Sequence, residues 1–216
     1  MERVVLFDVD NTLLDNDLLK EDLAAAIARD LGAGPGADFW RLYEQVRVDE
    51  DGVVDYPETL RRFAARHPAL ADRADALING VAFDTYVYPG ALRVIADCRS
   101  TGRPVVLSDG DPIYQVAKIE RSGIAAAAAG DVLVFDHKER HLDEVIGRFP
   151  ASRYLMVEDK APTLALMKEQ LGERLVTVHV RQGHYATEEA AGFVPDFSIA
   201  SIGDLAPARM MEADRK

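Results

Sequence analysis

The chain has 216 residues, 48% hydrophobic and 29% charged, with a formal net charge of -12. This balance belongs to a folded globular protein, neither disordered nor fibrous, and the length suits one core carrying one sizeable insertion. Acidic charge is spread along the sequence without a lysine and arginine block, which argues against a nucleic-acid polymer as partner.

The N-terminus enters directly into Val4-Val5-Leu6-Phe7. It shows neither a signal-peptide pattern nor a membrane-spanning apolar run, so the expectation is a cytoplasmic protein, monomer or homodimer, with no membrane partner. This run ends in acidic residues, as a buried parallel strand does when its carboxyl end opens onto a site.

From Asp15 to about Tyr86 the spacing becomes helical, over Leu18 to Leu31, Ala37 to Val48, Pro57 to Arg66 and Ala69 to Asn79. Gly32-Ala33-Gly34-Pro35-Gly36 reads as an interhelical turn, since a phosphate-cradling loop would need a strand before it. Trp40, Arg41, Tyr43 and Arg47 offer side chains to a substrate, although an ordinary amphipathic helix accounts for them equally well. Cys98, the only cysteine, sits in Val94-Ile95-Ala96-Asp97-Cys98 at a helix packing position, and no intrachain disulfide can form.

Four further apolar runs follow: Pro104 to Leu107, Val132 to Phe135, Tyr154 to Val157 and Leu175 to Val178. Helical segments separate them, a βαβ rhythm that right-handed crossovers stack into one parallel sheet with helices on both faces. Ligands of such sheets bind beyond the carboxyl ends of the strands. Ala125 to Ala129 reads as a helix end. The loop Gln182-Gly183-His184-Tyr185 could reach the site's mouth, although ordinary surface-loop polarity accounts for it better, and residues 206–216 form a short charged tail expected to be loosely ordered.

The strongest chemical signal is Phe7-Asp8-Val9-Asp10-Asn11-Thr12, two carboxylates one residue apart where the first strand stops. Their mutual repulsion calls for a positive partner, and magnesium suits carboxylate, carbonyl and water ligands. A calcium loop of the EF-hand type is ruled out by Leu13, where glycine is required, and Leu19, where glutamate is. Two other strand ends carry polar groups, Ser108-Asp109-Gly110 and Glu158-Asp159-Lys160. His137 and His141 have the four-residue spacing of zinc-binding helices, but Lys138 stands where a zinc protease needs glutamate.

Taken together, these motifs resemble the haloacid dehalogenase superfamily, whose first motif is an apolar strand followed by D-x-D-x-T or D-x-D-x-V. The resemblance implies a Rossmann-like α/β core at residues 1–16 and 87–205, a helical cap at 17–86 and a tail at 206–216. It implies Asp8 as nucleophile, Asp10 as general acid and base, and Ser108, Asp109 and Lys138 as substrate-binding groups, with Ser108 and Lys138 on the phosphoryl oxygens. Lys138 is preferred over Lys118 on the preceding helix. Magnesium would be held by Asp8, the Asp10 backbone carbonyl, Asp159 and Glu158, the last through water. Thr163 stands where relatives carry a further aspartate, which adds weight to Glu158.

The resemblance therefore implies a magnesium-dependent phosphohydrolase of a small phosphorylated metabolite. Within the same fold a dehalogenase needs neither Asp10 nor the acidic pair. A phosphonate-cleaving enzyme needs a cap lysine, for which only Lys20, beside the hinge, is available. A phosphomutase, which shares every core residue, and a non-catalytic phosphate-binding domain remain open at this point.

Overall fold

A computed structural model gives the structure of residues 3–212. The chain runs β1 (Arg3–Phe7), α1 (Asn16–Leu31), α2 (Ala33–Asp49), α3 (Tyr56–Arg66), α4 (Ala71–Asn79), α5 (Ala91–Cys98), β2 (Arg103–Asp109), α6 (Tyr114–Arg121) and α7 (Ile124–Ala127). It continues with β3 (Val132–Phe135), α8 (Leu142–Arg148), β4 (Arg153–Glu158), α9 (Ala161–Leu171), β5 (Leu175–Val180), β6 (Phe197–Ile199) and α10 (Pro207–Glu212). The six strands form one parallel sheet in the order β3-β2-β1-β4-β5-β6. This is the expected α/β architecture, with the first strand at its centre.

Strand alternation divides the core into two faces. Val5 and Phe7 join Val106, Val157 and Val178 on one face, beneath α5, α6, α7 and α10. Val4 and Leu6 join Leu107, Met156 and Leu175 on the other, beneath α8 and α9. Both faces are covered, so the strand interiors are largely apolar, Thr177 and His179 of β5 excepted, and the polar groups gather at the strand ends.

Helices α1 to α4 pack on one another between β1 and β2. Asp15 caps α1 by accepting from the Leu18 amide at 3.0 Å, and Asp55 caps α3 through the Glu58 amide at 2.7 Å. The segments entering and leaving this insertion meet in an isolated antiparallel bridge, Leu14 with Val87. Asp15 N donates to Tyr86 O at 2.8 Å, and Tyr88 N to Leu13 O at 3.0 Å.

Several expectations need correction. The Gly32 to Gly36 turn contracts to Gly32 alone, with φ of 86°, and α2 begins at Ala33. Pro35 is compatible because it falls in the first turn, where a missing amide costs no intrahelical bond. β2 continues through Ser108 and Asp109 and β5 through Val180, while β6 was not expected. Residues 207–212 of the tail are helical, with Met210 and Met211 buried against the core, and residues 213–216 lie outside the described residues. Among the described residues no helix is long and apolar enough to cross a membrane.

Candidate active site

The carboxyl ends of β1, β2, β3 and β4 converge. After β1 the chain turns back sharply: Leu13 N and Leu14 N both donate to Val9 O at 2.9 Å, and Asn11 adopts φ of 60°. Asparagine tolerates that left-handed conformation better than most residues. Its side-chain oxygen accepts from the Asn16 and Asp17 amides, fixing the start of α1 to the turn.

Asp8 is buried, and the Lys138 ammonium reaches its Oδ1 at 2.5 Å. The same nitrogen lies 2.5 Å from Glu158 Oε2 and 3.8 Å from Asp109 Oδ2. Lys138 arrives from the turn after β3, and Asp109 holds it there by accepting its backbone amide at 2.7 Å. Burial alone would lower the Lys138 pKa, but Asp8, Glu158 and Asp109 together raise it well above the ordinary value. It is therefore a permanent cation tying three strand ends together.

Asp10 has its own lysine. Lys118 Nζ, fully covered on α6, lies 2.5 Å from Asp10 Oδ1 and 3.0 Å from Asn16 Oδ1. Gln115, one turn earlier, donates to Ser108 Oγ at 2.8 Å. The two aspartates are thus separated by distinct cations, so their repulsion is relieved and their roles can differ.

Asp8, Glu158 and Asp159 bring carboxylate oxygens within 4.8 Å of one another, all buried. Both side-chain oxygens of Asp159 lack a hydrogen-bond partner. Burial, then Glu158 and Asp8, push the Asp159 pKa far up. Burial and Glu158 likewise raise Asp8, against the pull of Lys138. Five carboxylates here, counting Asp10 and Asp109, face three ammonium groups, Lys118, Lys138 and Lys160. With all five ionised, two negative charges are in excess, and without a cation that excess is what pushes Asp159 and Asp8 toward protonation. An all-oxygen donor set with this deficit fits a hard divalent cation such as magnesium, held by Asp8, Glu158 and Asp159.

A haloacid dehalogenase-like hydrolase profile matches residues 2–169. The chain belongs to the haloacid dehalogenase-like hydrolases. A putative haloacid dehalogenase-like hydrolase from Burkholderia xenovorans is 39% identical with a TM-score of 0.88, and the match covers 98% of this chain and 99% of that one. Two more distant structures share the fold. The putative HAD-hydrolase YfnB from Bacillus subtilis, bound to magnesium, has 16% identity, a TM-score of 0.64 and coverage of 93% and 95%. The L-2-haloacid dehalogenase from Xanthobacter autotrophicus, with chloropropionic acid covalently bound, has 19% identity, a TM-score of 0.61 and coverage of 99% of both chains. No protein with a curated description matches.

In this member of the family, Asp8, Asp10, Ser108, Asp109, Lys138, Glu158 and Asp159 all assemble at one end of the sheet. The Asp10 carboxylate is turned to Lys118 rather than into the acidic cluster. Lys118 and Lys138 prove complementary rather than alternative. Gln115 and Asn16 had no place in the sequence reading, and Lys160 was named there without a role. Tyr114, Gln115, Lys118 and Ile119 all lie on the buried face of α6, and two polar residues on such a face were the signal available. His179 on β5 steadies the acidic turn, its Nε2 2.9 Å from Asp159 O.

Other candidates fall away. Arg41 pairs with Asp38 and Arg47 with Glu44 on the surface, while Trp40 packs among Phe39 and Tyr43. His141 stacks on Phe135 and bonds Asp136, whereas His137 reaches Asp51, so they share no metal geometry. A cavity of about 200 Å³ opens beside Asp10 and Lys118, walled by Asn16, Lys20, Tyr56 and Tyr114. Lys20 thus faces the cavity.

Proposed function

We propose that this hydrolase is a magnesium-dependent phosphatase of small phosphate monoesters, acting through Asp8. The observation that carries the reading is the division of labour at β1. Asp8 shares a buried acidic cluster with Glu158 and Asp159, while Asp10 is held apart by Lys118 next to the cavity.

Asp8 Oδ attacks phosphorus as the bond to the leaving oxygen breaks, giving an aspartyl-phosphate. Asp10 donates its proton to that leaving oxygen. It then takes a proton from the water that attacks the same phosphorus, which frees phosphate and restores Asp8. Lys138 neutralises charge on the transferred group and on Asp8, and Ser108 Oγ, oriented by Gln115, donates to a phosphoryl oxygen. Bound magnesium would supply the remaining positive charge that a dianionic phosphoryl group requires. Phosphate monoesters need rate enhancements of up to roughly 10²¹-fold, so nucleophile, acid and charge neutralisation must all act together.

Residues 17–86 act in this reading as a cap that closes over the substrate and excludes water. In this reading the hydrolase acts in the cytoplasm, on a small phosphorylated metabolite. Dehalogenation, the activity named for several structural neighbours, would leave Asp10, Lys118 and the acidic cluster without a task. The test is phosphate release from a panel of phosphorylated metabolites, with magnesium and with excess chelator, run beside halide release from 2-haloacids. Magnesium-dependent phosphate release supports the reading, and halide release without it sinks the reading.

A further inference from the structure

The cavity beside Asp10 has a second polar surface that the phosphoryl chemistry does not use. Tyr43 on α2, Tyr56 on α3 and Tyr114 on α6 follow one another, with ring centroids 5.4 Å apart for the first pair and 4.5 Å for the second. All three are buried, and none of their hydroxyls meets a hydrogen-bond partner. Buried hydroxyls are ordinarily satisfied, so three adjacent orphans require an explanation. Tyr56 and Tyr114 line the cavity together with Lys20. The Lys20 ammonium lies 5.5 Å from the Tyr43 ring centroid and forms none of the ion pairs among the described residues.

These groups share a chemical bias. An ammonium offers only donors, and a phenol offers one donor. Held over an aromatic face, Lys20 keeps its donors available for a ligand. A carboxylate matches them, with two oxygens, about four lone-pair positions and the opposite charge. A neutral hydroxyl would accept from one donor and leave the ammonium uncompensated. Asp109 and Asp136 also reach the cavity, but Asp109 is engaged by the Lys138 amide and Asp136 by His137 and His141.

We propose that Lys20, Tyr56 and Tyr114, with Tyr43 packed behind Tyr56 and near Lys20, form the subsite for the part of the substrate that retains the leaving oxygen, and that this part carries a carboxylate. The cavity's volume, about 200 Å³, lies below the roughly 300–1,000 Å³ of ordinary ligand pockets, which limits that part to a short hydroxy acid. The substrate is then an O-phosphorylated hydroxy acid, its phosphoryl end at Asp8 and its carboxylate toward Lys20. Tyr43 and Tyr56 belong to the insertion and Tyr114 to the core, so the carboxylate would bridge the two. This inference rests on the phosphatase reading for the transferred group alone.

The test compares two phosphomonoesters of equal length, one ending in a carboxylate and the other in the carboxamide, with full-length wild type, Lys20→Met and Tyr56→Phe. Wild type is expected to favour the carboxylate at least tenfold in kcat/KM. Lys20→Met should erase that preference through KM, and Tyr56→Phe should reduce it without lowering the melting temperature. Equal kcat/KM for the two esters in wild type, or a preference that survives Lys20→Met, overturns the proposal. If neither ester releases phosphate, the phosphatase reading fails separately, and calorimetry with the phosphate-free hydroxy acid reads the subsite. Binding weakened at least tenfold by Lys20→Met supports it; no binding to wild type overturns it.

Discussion

Asp159→Asn should stabilise the metal-free protein while abolishing its response to magnesium. Asp159 is buried, neither of its oxygens has a donor, and the groups it faces, Glu158 and Asp8, are acceptors as well. Above the ordinary carboxylate range the metal-free fold must either take up a proton on Asp159 or hold it charged against Glu158 and Asp8, a cost that asparagine, neutral and with N–H groups for those carboxylates, avoids. A hydrogen bond to a charged group contributes about 1.5–3 kcal/mol. At roughly 2–4 °C per kcal/mol for a chain of this size, the metal-free variant should melt about 3–12 °C above wild type. The pH dependence has a definite sign. The Asp159 pKa is raised on folding, so metal-free wild type is most stable below the ordinary carboxylate pKa of about 4 and loses stability as pH rises above it. The advantage of asparagine therefore grows with pH. Magnesium at a hundred times its dissociation constant should stabilise wild type by about 2.7 kcal/mol and the variant hardly at all. Thermal melts with chelator and with magnesium, at several pH values, read both effects. A metal-free variant melting no higher than wild type, or an equal magnesium shift in both, would refute the reasoning.

Three other outcomes follow from particular contacts. Asp10→Asn should cut kcat by roughly 10²–10⁴-fold with little change in KM, because only proton transfer is removed, and steady-state kinetics within threefold of wild type would contradict that role. Gly183→Ala should cost about 1–3 kcal/mol in thermal unfolding, since its φ is +65° and a new Cβ would sit 2.5 Å from Asn11 Cγ at the turn before α1. Unchanged stability would mean that the loop yields freely. Cys98 should resist alkylation at pH 8 in the folded protein and react fully in denaturant, because burial pushes its thiol up to about 12. Rapid labelling under native conditions is the contrary result.

The sequence was most informative where chemistry and strand geometry coincide. Asp8, Ser108 and Glu158 each close an apolar run, so their convergence followed from the parallel sheet alone. Lys138 required the turn after β3, which periodicity does not describe but motif spacing did. Lys118 was ambiguous because a lysine on a helix is ordinarily solvated; only the packing of α6 beside β3 and α7 brings it to Asp10 in the turn after β1. The tyrosine series was invisible for the same reason, since Tyr43, Tyr56 and Tyr114 come from three helices. β6 has three residues, too few for an alternating pattern to register, and its pairing with β5 is a tertiary fact. Pro35 and its flanking glycines suggested a turn, but neighbouring helices supply enough packing to carry α2 through them.

The most direct test of the account is where solvent oxygen goes. Wild type is allowed to turn over para-nitrophenyl phosphate, or the best ester of the panel, in heavy-oxygen water with magnesium, and mass spectrometry follows both the phosphate and the peptide containing Asp8. Water attacking phosphorus puts the label in released phosphate and leaves Asp8 unlabelled, which is the result predicted here. Label in the Asp8 carboxylate would mean that water attacks its carbonyl carbon, as in ester hydrolysis after displacement at carbon, and would contradict the phosphatase mechanism.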